Sequence, residues 1–339
     1  MILLDRVPEP VTVIVDRRDD QAFTAALLAS HHLAQGRITV HPPPPRPSPT
    51  DLAYEILEAL GKPVALLNRG RWGAAPPWAV AAAWIAGLPV TRLTVLRAHL
   101  LPLGAWTYLL RLREATAVPL TVVFHCPRSC AAHRVLDDVP HILIDDLEAV
   151  RRLHPPAPPT SRTHYRTPGR WITLPALDRL PHGGYFPDCL CRHPPPAVIS
   201  GIARLKPLTP AVLREIAHRL ATRTAHPYLA GALATAIFTA AAESQLATVR
   251  LHDYDPSHSE LALHDPKGVT HQRRCATHTV PAWARSFLTV TGHLTLAAAP
   301  RAGAGRLRLF QPPAFATTPL TEFTEQCRLR PPHPWFIQP

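Results

Sequence analysis

Lys267, His271, Arg273 and Arg274 lie within one short polar stretch between two apolar runs, and Arg250 precedes them on the same side of the chain. Cationic and hydrogen-bonding donors so placed suit phosphate oxygens of a nucleic-acid backbone, each contact adding a salt-dependent increment of affinity. In-line phosphoryl transfer needs a hydroxyl nucleophile and cations that neutralise the developing charge, and no tyrosine follows Tyr254 to act as that nucleophile. Nucleotide binding fares no better. A phosphate-wrapping loop needs glycines, then a lysine and a hydroxyl, whereas Val11–Val15 leads into Asp16-Arg17-Arg18-Asp19-Asp20-Gln21-Ala22-Phe23-Thr24. That stretch has no glycine or lysine, and its three carboxylates would repel a triphosphate. Cys126 and Cys130, with Cys189, Cys191 and His193, offer zinc donors, but without the two-residue gaps usual in small zinc sites. The expectation is therefore no bound metal and no cofactor. Asp145 and Asp146 read as the N-terminal cap of a helix over Leu147–Leu153, and His125, at a strand end, as a structural residue.

The elements that position these residues fall into two patterns. Short apolar runs at Val11–Val15, Arg37–Val40, Pro63–Leu67, Arg92–Leu96, Leu120–Phe124 and His141–Ile144 alternate with helical stretches, which predicts an open parallel sheet with flanking helices. Between two of them, Ser48-Pro49-Thr50-Asp51 opens a helix carrying Leu52, Ile56, Leu57 and Leu60 on one face, closed by Gly61. Residues 154–204 carry two proline clusters and read as a linker with one short element near Trp171–Leu180. From Thr209, an N-cap followed by Pro210, a helix carries Val212, Leu213, Ile216 and Leu220. An alanine-rich helix over about Tyr228–Leu246 should be buried on all sides, and Glu260–His264 with Thr277–Pro281 predict a small antiparallel hairpin. The fold class expected is α/β, with a mainly α C-terminal domain, divided as 1–153, 154–204 and 205–339.

The order of elements over residues 10–145 resembles an AAA+ or RecA-like ATPase core. Strand Val11–Val15, a helix, Ile38-Thr39-Val40, the helix ending at Leu60-Gly61, the strand Leu93–Leu96, Trp106–Arg113 and the strand Val118–His125 follow in that order. The resemblance implies a nucleotide-binding fold, but Arg97-Ala98 stands where its second acidic motif would be, and His125 near its sensor position. Residues 209–310 resemble the catalytic domain of a tyrosine recombinase of the phage integrase type. The run from Phe238 to Asp253 carries the likeness, with Thr239 and Asp253 matching. Ala242 falls on the first catalytic arginine and Gln245 on a helix-turn acid. Leu261-Ala262-Leu263, Lys267, Arg273-Arg274, His278-Thr279-Val280-Pro281 and the helix Trp283–Leu288 follow in the family's order. His271 and Arg274 spell the family's histidine-x-x-arginine box, but before Val280-Pro281 rather than after it. The resemblance implies a DNA-facing hairpin on a domain without its catalytic groups.

Composition fits a polyanionic partner. The 339 residues carry a formal charge of +12, nearly all of the cations being arginine, with only Lys62, Lys206 and Lys267 as lysines. Arginine's planar fork suits phosphate contacts. A hydrophobic content of 46% excludes a wholly solvated chain, and no apolar run reaches membrane-spanning length. The six scattered cysteines suit a reducing, cytoplasmic compartment. Together these features predict a non-catalytic, DNA-associated protein of a mobile-element or recombination setting, with Lys267, His271, Arg273, Arg274 and Arg250 on the DNA. The alternative is a regulatory subunit that partners an active ATPase or recombinase without touching DNA.

Overall fold

In the strand β1 (Val11–Asp16), Val11, Val13, Ile14 and Val15 are all buried, as expected where helices cover both faces of a sheet. The computed structural model describes residues 7–42, 48–64, 76–125, 135–158, 170–181, 208–264, 275–298, 307–310 and 319–332. Contacts divide the chain into two units, one within Met1–Lys62 and Pro76–His164, the other within Pro63–Ala75 and Tyr165–Pro339. The architecture is α/β: a parallel sheet with flanking helices in the first unit, and helices with a small antiparallel sheet in the second.

In the first unit β1 joins β2 (Arg37–Val40), β3 (Arg92–Val95), β4 (Leu120–His125) and β5 (His141–Ile144) in the order β2-β3-β4-β1-β5, every pair parallel. The expected strand at Pro63–Leu67 lies largely outside the described residues. Helix α1 (Gln21–Ala29) packs on α5 (Leu147–Leu153), and together with Ile14 and Val123 they bury Phe23, Leu27 and Val150 on one face. Helices α2 (Pro49–Ala59), α3 (Pro77–Gly87) and α4 (Leu103–Thr116) pack together, and Trp106 of α4 stacks on Phe124 at 5.9 Å. The start of α2 is as expected: Ser48 and Asp51 cap each other's backbone, and Gly61 takes φ 69° beyond its end, a conformation glycine adopts without steric cost. Asp146 likewise caps α5, accepting from the Ala149 N–H at 2.8 Å.

The strand order matters for the site. The chain leaves β1 toward β2 at one edge and leaves β4 toward β5 at the other, although β1 and β4 are neighbours. Ligands of open parallel sheets bind outside the carboxyl ends of strands at such a reversal. Here the register sets Asp16, the last residue of β1, opposite His125, the last of β4.

In the second unit α6 (Pro210–Arg223) begins at Thr209, whose Oγ1 accepts from the Val212 N–H at 3.4 Å. The next helix, α7 (Pro227–Thr239), is buried at every position. It stops short of the expected Leu246. Ala240 turns left-handed (φ 57°), its N–H bonding Ala236 O, and Thr239 Oγ1 accepts from the Ala241 N–H. A separate turn, α8 (Glu243–Leu246), follows. A short strand β6 (Ile172–Thr173) comes before these helices; after them, strands β7 (Tyr254–Asp255), β8 (Glu260–Leu263) and β9 (Ala276–Thr279) form an antiparallel sheet. The long α9 (Ala282–Ala298) then packs on α7. Last come α10 (Pro319–Gln326) and β10 (Leu329–Arg330), which pairs in parallel with β6. Of the proline-rich region 154–204, residues 154–158 adjoin the first unit, where the Ala157 N–H donates to Ala29 O at 2.7 Å. Leu174, Ala176, Leu177 and Leu180 are buried in the second. No described helix is long and apolar enough to cross a membrane.

Candidate functional site

The carboxyl ends of four strands in the first unit carry polar side chains to one edge. His41 follows β2, Arg97 and His99 follow β3, His125 ends β4 and Asp16 ends β1. Asp16 and His125 are 2% and 5% exposed. Nδ1 of His125 lies 3.0 Å from Asp16 Oδ2 and 3.4 Å from Asp19 Oδ1, while Nε2 is buried with no hydrogen-bond partner. The backbone N–H of His125 donates to His99 Nδ1 at 3.3 Å. Burial, then the neighbouring His125 and Arg97, push the His99 pKa down; burial, then Arg97 and His125, do the same to His41. Both rings therefore favour the neutral form more than a free imidazole does. Arg97 spans the group: its guanidinium lies 3.5 Å from Asp19 Oδ1 and its Nε 3.2 Å from His41 Nε2. Asp19 and Arg97 both adopt positive φ, 50° and 51°, which is uncommon outside glycine and recurs where a backbone aims a side chain.

The three carboxylates at and after the end of β1 thus have different tasks. Asp16 pairs with His125, Asp19 with Arg97 and His125, and Asp20 caps α1 through the Ala22 N–H at 2.8 Å. Sequence reasoning read His125 as a satisfied structural residue; one ring nitrogen meets that description and the other does not. The signal that could have found the cluster was available: charged residues at the carboxyl ends of adjacent parallel strands.

The second unit presents an open groove of about 460 Å³ lined by Trp171, Thr222, Arg223, Glu325, Gln326 and Arg328. Arg219, 5% exposed on α6, builds it. Its guanidinium donates to Arg170 O, Cys327 O and Arg328 O and pairs with Glu215 at 2.7 Å, joining the segments that carry Trp171 and Arg328 to one helix. Burial pushes the neighbouring Cys327 thiol up, so it stays protonated. Trp171 remains 42% exposed with the Arg330 guanidinium 6.0 Å from its ring centre. An exposed aromatic plane among arginines is the composition of a base-stacking, phosphate-contacting surface. Its parts come from three separate stretches of the chain, around Trp171, Thr222 and Glu325, and no local pattern announces them.

Of the residues expected on DNA, Lys267, His271, Arg273 and Arg274 lie outside the described residues, as do Cys126, Cys130, Cys189, Cys191 and His193. Arg250 is half-buried at a bridge to Arg308. Its N–H donates to Asp253 Oδ2 at 2.7 Å, and His264 Nε2 lies 3.2 Å from Asp253 Oδ1. Although burial acts against it, these hydrogen bonds hold the Asp253 carboxyl below its usual range. Asp253 therefore fixes the turn into the antiparallel sheet. Ala242 is buried, its N–H donating to Gln245 Oε1 at 3.1 Å. Compared with protein-family models, characterised proteins and solved structures, the chain matches none.

Proposed function

We propose that the protein is a non-catalytic nucleic-acid-associated protein whose second unit holds a single strand, with a base on Trp171 and phosphates on the surrounding arginines. The observation that carries this reading is the exposed Trp171 ring beside a groove lined by Arg223 and Arg328, with Arg330 against the ring and Glu325 the one carboxylate among the groove residues named above. Stacking tolerates any base and arginine tolerates any phosphate, so binding should show little sequence preference. A recombination or mobile-element setting agrees with the recombinase-like order of elements in the same unit, and the hairpin cations would add duplex contacts.

The test is equilibrium binding of a labelled oligothymidylate of about 20 nucleotides over a salt series. Base stacking contributes about 1–3 kcal/mol per base, so Trp171→Ala should weaken binding by about 5- to 150-fold. The double variant Arg223→Ala/Arg328→Ala should flatten the log–log salt slope by about 1.4, since each single-strand phosphate contributes about 0.7. Unchanged binding in both variants would leave those arginines with only the carboxyl ends of α6 and α10 to serve, and the reading would fall. A second reading, a regulatory subunit for an active ATPase or recombinase, is favoured by one feature of the first unit. The edge strand β5 exposes Ile142 and Leu143, at 55% and 46%, and exposed strand edges recruit other chains. Absence of any binding to nucleic acid at low salt would put that reading first.

A further inference from the structure

The geometry points to a divalent transition-metal site in the first unit, formed by Asp16 Oδ2, Asp19 Oδ1 and His125 Nδ1. It does not rest on the nucleic-acid reading. These three atoms lie within 4.8 Å of one another, two carboxylate oxygens facing one imidazole nitrogen. Asp16 is buried, and the Arg97 guanidinium pairs with Asp19 rather than with it. The Arg18 N–H donates to Asp16 Oδ1 at 3.2 Å but brings no charge. A divalent cation held by His125 Nδ1, Asp16 Oδ2 and Asp19 Oδ1 would set positive charge directly against that buried carboxylate.

The place is also right. Asp16 and His125 end neighbouring strands from which the chain departs in opposite directions, where open parallel sheets bind their ligands. His41 and His99 each commit one ring nitrogen to another bond. His41 Nε2 already accepts from Arg97 and His99 Nδ1 from the His125 N–H. One nitrogen and two oxygen donors select zinc or manganese over calcium and magnesium, which prefer all-oxygen shells. Asp19 is half-exposed, so water completes the coordination from that side.

Calorimetric titration of the full chain with Zn²⁺, Mn²⁺ and Mg²⁺ tests the site, with absorption of the Co²⁺ form as a second readout. The expected result is one Zn²⁺ or Mn²⁺ per chain, Mg²⁺ binding much more weakly, and Co²⁺ spectra lacking the intense near-ultraviolet bands of thiolate ligands. Asp19→Asn, an exposed change that leaves the core intact, should weaken binding at least about tenfold. Asp16→Asn and His125→Gln, checked for folding by circular dichroism, should weaken it further. Wild-type affinity in Asp19→Asn, thiolate bands in the Co²⁺ spectrum, or no binding at millimolar metal would each overturn the proposal.

Discussion

Lys62 is buried and Glu243 half-buried at a cost, one in each unit, and they titrate in opposite senses. Lys62 is 2% exposed with its ammonium 3.6 Å above the Trp84 ring, and burial lowers its pKa to about 7. Between pH 7 and its unfolded value near 10.5 the unfolded chain holds more protons than the folded one, so stability rises with pH there. Below pH 7 the full penalty stands. Lys62→Met should therefore stabilise the first unit by about 1–4 kcal/mol at pH 6, with the gain shrinking toward pH 10. Burial raises Glu243 to about 7, so its contribution is lost as pH climbs from about 4.5 through 7. Glu243→Gln should cancel about 1–3 kcal/mol of that loss, allowing for partial exposure. Urea melts across pH 4.5–10 check both; parallel profiles for variant and wild type would refute either assignment. Caps such as Ser48, Asp146 and Thr209 were legible because they act within a few residues of themselves. The Asp16–His125 pairing and the Arg219 clamp were not, since each joins segments about a hundred residues apart.

At the scale of elements, hydrophobic periodicity located the five strands of the parallel sheet, two of the antiparallel one and most helices, because burial on one or both faces leaves its period in the chain. The break after Thr239 left no such trace. Ala240 is a helix-former held in a left-handed turn, where glycine is the usual signal, and only Thr239 and the following turn explain it. The contact between α7 and α9 is equally silent. A Cβ at Gly231 would stand 2.2 Å from Thr291 Oγ1, whose hydroxyl lies 3.0 Å from Pro227 O and 2.7 Å from Phe287 O. Gly231→Ala must push the two helices apart or strip that hydroxyl of its bonds. The expected loss is about 1–3 kcal/mol, read as a lower urea midpoint at unchanged slope. A neutral result would mean that the pair separates without resistance.

For the molecule as a whole, the +12 charge predicts association with duplex DNA as well, through the hairpin cations expected from the sequence. Three or so duplex phosphate contacts give a log–log salt slope near −3, and Arg273→Ala/Arg274→Ala should flatten it by about two units. Arg17 lies 3.6 Å from Asp145, so Arg17→Ala should alter the slope far less. An unchanged slope in the hairpin double variant would remove those residues from the interface. The strand order carries a consequence of another kind, for how the chain is made. β1 ends at Asp16, yet the strands on either side of it begin only at Leu120 and His141. At ordinary translation speeds, on the order of 5–20 residues per second, Val-Thr-Val-Ile-Val leaves the ribosome several seconds before either neighbour exists. During that interval a strand buried at all but one position has both edges open. Holding that nascent segment apart from other chains is a task for chaperones, and slowing synthesis after β1 should lower the yield of folded protein more than slowing it after β4.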